Sequence, residues 1–228
     1  MEKLHFANAT LHVIAGIIAL ITGFAAILVR KGLGRHVLFG KYFMWMIVVV
    51  IVTGFLGVFI FNRNSFLLVI TLLSGYNCYS GMRTLKLRGQ KPELPDYIIP
   101  VFVIFSAVYY LYYLKYNGLY WSPVIIYSTV GALFLVTGFD LCKSFMAVKF
   151  LRKSIMYEHS YKMISAFSAI SSAFTGTVFP DYKPYSQFLP SVAGIIYIII
   201  TFILLSKKTF VLKAKTIVHN KKQDASRA

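Results

Sequence analysis

Acidic residues are scarce in this 228-residue chain. Seven Asp and Glu stand against 24 Lys and Arg, and residues of either charge make up only 14% of the sequence. A soluble domain carries about 25% charged residues. With so little polar surface available, a soluble globular fold is excluded, and so is a disordered chain. Cysteine is scarce too. Cys78 and Cys142 form no CxxC pair and lie in different apolar segments, which excludes a disulfide or zinc framework. A cleavable secretory signal is not expected, because the first apolar stretch is too long and has no small-residue cleavage site. No internal repeat is visible. What the chain has in abundance is apolar sequence, 58% of its residues.

That apolar sequence is arranged in runs. A helix needs about 20 apolar residues to cross a bilayer, and seven segments qualify: Leu4–Val29, Leu38–Phe61, Phe66–Met82, Tyr97–Leu114, Pro123–Ala147, Ser160–Val178 and Phe188–Leu205. Their length, and the lack of ten-residue alternation, favours helices over a membrane barrel. The expected fold is all-α, a polytopic transmembrane bundle of seven helices over residues 1–206, followed by a basic, partly disordered tail over 207–228. The sixth segment is the least apolar, with Ser165, Ser168, Ser171, Ser172 and Thr175.

The net charge of +17 would suggest nucleic acid in a soluble chain. Here the cations cluster between apolar segments, so nucleic acid is not expected as a partner. Arg30, Lys31, Arg35 and Lys41 fall on one side of the membrane, with Arg83, Lys86, Arg88 and Lys91. Lys143, Lys149, Arg152, Lys153 and Lys162 join them, and the tail adds Lys207, Lys208, Lys213, Lys215, Lys221, Lys222 and Arg227. Only Lys3, Arg63, Lys115 and Lys183 fall on the other side. The positive-inside rule then puts the N-terminus outside and the C-terminus in the cytoplasm. The expected location is the inner (plasma) membrane, with anionic lipids meeting the basic loops and tail. Tyr109, Tyr110, Tyr112, Tyr113, Tyr116, Tyr120 and Trp121 read as an interfacial aromatic belt.

Ionisable residues within a membrane usually face the bundle interior or a cavity. His12, His36, Asp140 and His159 are therefore the candidate ligand or cofactor residues, with Asn77, Arg83, Lys162 and Met163 as accessories. His12 shares a face with Gly16 and Gly23, and Ala15, Ala19 and Gly23 form a row of small residues suited to close helix packing. His36 sits in the basic turn that enters the second helix. His159 opens the sixth helix, with Met163 one turn on. By depth, His36, Asp140 and His159 are expected to converge on one polar cavity at the cytoplasmic face. The competing reading is that Asp140 forms an ion pair with Arg83, Lys143 or Lys162 and the histidines face the headgroups.

Several stretches share a pattern with known sequences: Leu11-His12 with Gly16, Arg30-Lys31-Gly32 with His36, Gly40 and Lys41, Ser74-Gly75-Tyr76, Ser80-Gly81-Met82-Arg83, Gly138-Phe139-Asp140-Leu141, and His159 with Lys162-Met163. Through them the chain resembles an uncharacterised bacterial family of multi-pass membrane proteins, described as a domain of unknown function. That resemblance implies no established activity, and Lys162 stands where the family pattern has arginine. The histidine-bearing helices are also similar to membrane b-type cytochromes and ferric reductases.

Three functions follow as expectations. A haem b redox protein would ligate through His36 and His159, since His12 has only His5 as a partner in its half of the membrane. A metal-dependent enzyme would use His36, His159 and Asp140. A transporter or binding protein would receive a small anion in the basic vestibule. A retinal protein is disfavoured, because the seventh segment has no lysine in its apolar core.

Overall fold

The computed structural model describes residues 2–32, 34–61, 66–117 and 123–225. Among them the chain forms seven α-helices: α1 (Glu2–Leu28), α2 (Gly34–Phe59), α3 (Phe66–Leu87), α4 (Pro95–Asn117), α5 (Pro123–Cys142), α6 (Val148–Val178) and α7 (Tyr185–Ala225). Short 3-10 turns follow α5 and α6. Proline stands first in α4 and α5, where its missing N–H has no helical partner to lose. The end of α3 is marked by two left-handed residues, Arg88 and Gly89. A Cβ on Gly89 would lie 2.6 Å from the Cα of Arg152 in α6, so this turn needs glycine for close approach as well as for conformation.

Several helices differ in extent from the segments read from sequence. The second begins at Gly34, so His36 lies inside a helix and not in a turn. The sixth begins at Val148, twelve residues before the expected Ser160, which puts His159 well inside α6. Hydropathy marked only the apolar part of α6 and missed its charged first turns. α7 continues as helix to Ala225, through the segment assigned to the basic tail.

Five helices, α1, α2, α4, α5 and α7, are long and apolar enough to cross a membrane. Their outer faces carry exposed large apolar side chains, among them Ile21, Phe24, Trp45, Phe102, Phe105, Leu135 and Ile199. Such an apolar surface is compatible with an integral membrane protein. The more polar pair, α3 and α6, forms the centre. The two pack against each other; α2, α4 and α5 also contact α3, while α1 and α7 contact α6. One apolar core lies on the α4–α5 side, around Leu73, Tyr76, Ala107 and Leu133. The other lies on the α1–α2 side, around Ala19, Phe43, Ile47, Cys78 and Ala166.

The small-residue row of α1 packs as its sequence predicts. Ala15, Ala19 and Gly23 are its buried residues. A Cβ on Gly23 would lie 2.6 Å from Phe167 and 2.9 Å from Phe43. Tyr109, Tyr112 and Tyr116 are exposed near the end of α4, as a belt requires, but Tyr110 turns into the core. Tyr120, Trp121, Arg63 and Arg227 lie outside the described residues.

Candidate functional site

Where α3, α5 and α6 meet, the chain buries four charges. Asp140 comes from α5, Lys143 from the turn after it, and Glu158 and Lys162 from α6. All four are buried, Lys162 to 1% exposure. The Lys162 ammonium donates to Ser80 Oγ at 2.5 Å, to Asp140 Oδ1 at 2.6 Å and to Glu158 Oε1 at 2.6 Å. Three N–H donors meet three acceptors, so this cation is saturated. Lys143 Nζ lies 2.8 Å from Asp140 Oδ1, also bonds Glu158 Oε1, and sits over the Phe139 ring. The second Asp140 oxygen accepts from Tyr76 at 2.6 Å and from Ser80. Thr84 donates to Glu158 at 2.5 Å.

Two cations and two anions balance, so the cluster is neutral as a whole. That balance lets it stay in a low-dielectric interior, where a lone charge would be costly. It also leaves no surplus positive charge there for an anionic ligand. A three-donor point charge fits the three acceptors; a planar guanidinium has a different donor geometry. A void of about 10 Å³ adjoins Asp140 and Lys143, about the room one water needs.

The accessory residues fall in different places. Arg83 forms a two-pronged ion pair with Asp96 of α4, both contacts at 2.7 Å, and reaches Glu93 at 2.8 Å. It clamps α3 to the start of α4. Asn77 is fully buried and donates to Leu73 O, while its Oδ1 has no protein partner among the described residues. Met163 packs against the α1–α2 core, and its Sδ is 3.1 Å from where a Gly81 Cβ would stand. It is a packing residue.

The expected convergence of His36, Asp140 and His159 does not occur. Asp140 pairs with Lys143, Lys162, Tyr76 and Ser80. The imidazoles turn elsewhere, because adjacent residues Glu158 and His159 point about 100° apart on a helix. Among the described residues, no three His, Cys, Asp or Glu side chains are grouped to hold a metal ion. A three-ligand centre from His36, His159 and Asp140 is therefore not built.

The two histidines lie at the same end of the bundle, each bonded to a main-chain carbonyl of a neighbouring helix. His36 Nδ1 lies 3.1 Å from Ala26 O, and His159 Nδ1 lies 3.0 Å from Gly81 O. A carbonyl oxygen only accepts, so each Nδ1 carries the proton and each Nε2 keeps a lone pair. At the same end Lys31 donates to Ala26 O and Ile27 O, the latter at 2.5 Å, and so caps the C-terminus of α1. Partial desolvation lowers the pKa of this loop lysine from its ordinary value.

His12 belongs to a third place. It lines a cavity of about 490 Å³ between α1, α2, α3 and α6, at the opposite end of the bundle from His36. Its Nδ1 is 2.8 Å from Thr53 Oγ1.

Pairing of Asp140 with Lys143 or Lys162, the alternative read from sequence, is what the structure shows, while Glu158, Tyr76 and Ser80 were missed as members of the buried cluster. A signal was available. Glu158 and Lys162 stand four residues apart, and Asp140 and Lys143 three apart, the spacings at which helical side chains pair. Glu158 escaped notice because it precedes Ser160. Lys143 and Lys162 were counted as cytoplasmic loop charges but are interior. The two cysteines are free, as expected, with Cys78 buried and Cys142 exposed.

Together these features define a helical bundle with a neutral buried ion cluster and histidines at both ends. No protein-family model, curated protein or solved structure matches this chain.

Proposed function

We propose that this is a membrane redox protein that holds one haem b between His36 and His159. One observation carries the reading: at the same end of the bundle, two imidazoles on different helices each have Nδ1–H tied to a main-chain carbonyl. Two rings held in the ligating tautomer, each with Nε2 left unprotonated, suit an electrophile such as haem iron. Arg30, Lys31, Arg35 and Lys41 lie nearby in sequence and supply cations for the haem carboxylates and for anionic lipid headgroups. Bound haem would supply one-electron transfer. The chain's own part is to fix both rings through Ala26 O and Gly81 O and to surround the site with apolar helices. The basic loops at this end support a cytoplasmic position for the site under the positive-inside rule.

The test is the absorption spectrum of protein purified from haem-sufficient cells. A Soret band with a sharp α band after reduction is expected, and His36→Ala or His159→Ala should remove it while the protein still inserts. Wild-type protein without a Soret band after haem reconstitution would end this reading.

A further inference from the structure

The cavity beside His12 is built differently from the rest of the bundle. Its volume of about 490 Å³ suits a small organic molecule. None of the residues lining it is Asp, Glu, Lys or Arg, and its titratable groups are the imidazoles of His5 and His12. Most of its wall is aliphatic.

The polar atoms of that wall mostly accept. Thr53 Oγ1 donates to Val49 O at 2.7 Å. Its one proton is thereby committed, so the 2.8 Å contact with His12 is a bond donated by His12 Nδ1. His12 Nε2 is then unprotonated, a lone pair on a ring that borders the cavity. Ser74 donates to Ala166 O and Thr177 to Ala173 O, which leaves their hydroxyl lone pairs. Asn8 gives one N–H to Thr53 O and keeps a second. Asn8, His5 and Thr71 border the same space and can donate. The occupant is largely apolar, to match the wall, and at His12 it must bring its own donor. Gly16, Gly54 and Gly57 line the same space. A Cβ on Gly16 would meet nothing within 4 Å, which leaves room for a planar ring beside α1, whereas one on Gly54 would contact Thr71 and His12 and one on Gly57 would contact Asn8. An imidazole lone pair is best matched by an acidic hydroxyl on such a ring.

We infer that this cavity binds a lipid-soluble hydroquinone, with its phenolic hydroxyl donating to His12 Nε2. The oxidised quinone carries only acceptors at its ring oxygens, so it meets lone pair with lone pair at His12. The site discriminates in favour of the reduced form. This inference does not depend on haem at the other end of the bundle.

Binding is measured calorimetrically on the full chain in nanodiscs, with decylubiquinol, decylubiquinone and farnesol as probes. Decylubiquinol should bind at least tenfold more tightly than decylubiquinone or farnesol. His12→Phe should abolish the preference between the two redox forms. A Cβ on Gly16 meets nothing within 4 Å, so Gly16→Leu fills the cavity without disturbing its walls. It should reduce decylubiquinol affinity at least tenfold while leaving the unfolding midpoint unchanged. Equal affinity for the two redox forms in the unaltered protein overturns the inference. So does farnesol binding as tightly as decylubiquinol, which assigns the cavity to isoprenoid alcohols. Undiminished binding by Gly16→Leu also overturns it.

Discussion

Lys162 shows how a residue's chemistry is set by what surrounds it. Its ammonium is held by Ser80, Asp140 and Glu158, one acceptor for each N–H. Removing one partner of a buried pair leaves a charge without compensation, at about 3–5 kcal/mol. Lys162→Met should therefore lower stability by about that amount, read as a fall in the thermal unfolding midpoint in detergent. Lys162→Arg should also destabilise, because a planar fork cannot reproduce three converging bonds from one nitrogen. Pairing Lys162→Met with Asp140→Asn restores the charge balance and should recover part of the loss. An arginine variant as stable as the original protein would show that charge alone matters at this position.

Among the elements, α3 and α6 stand apart. They are the two helices not counted among those apolar enough to cross a membrane unaided, and they are the two most surrounded by others. Their polarity and their position have one cause. Polar side chains that would be costly against lipid are satisfied between α3, α5 and α6, and five apolar helices screen them. On α1 the governing property is size. Gly23 admits Phe43 and Phe167 into contact with the helix backbone. Gly23→Leu would force these rings aside, and overpacking of this kind costs about 1–3 kcal/mol. The unfolding midpoint should fall. Gly16→Leu on the same helix, where a Cβ has open space, should leave it unchanged and serves as the control.

Over the whole molecule the two ends differ. The end where α1 begins holds the cavity beside His12. The other holds the histidine pair, the ion cluster and the basic loops. The buried positions of Lys143 and Lys162 withdraw them from the loop charges, yet most of the remaining cations still gather at one end. Reporter fusions after Arg88 and after Lys215 should accordingly both read cytoplasmic. A periplasmic signal at either would reverse the orientation or change the number of crossings.

The helical class and the row of small residues on α1 were determined by sequence alone. Both depend on local properties: apolar length, and side-chain volume at helical spacing. Sequence also singled out the residues that matter, because an ionisable group in an apolar run must be satisfied somewhere. It could not say by what. Asp140 was left open between His36 and His159 on one reading and an ion pair with Lys143 or Lys162 on the other, because depth says nothing about rotation around a helix axis. Only the packing of α3 against α5 and α6 decided that Asp140 meets two lysines, while His159, about 100° around from Glu158, meets Gly81 O. The cavity beside His12 had no signal in sequence, because a space between four helices belongs to none of them.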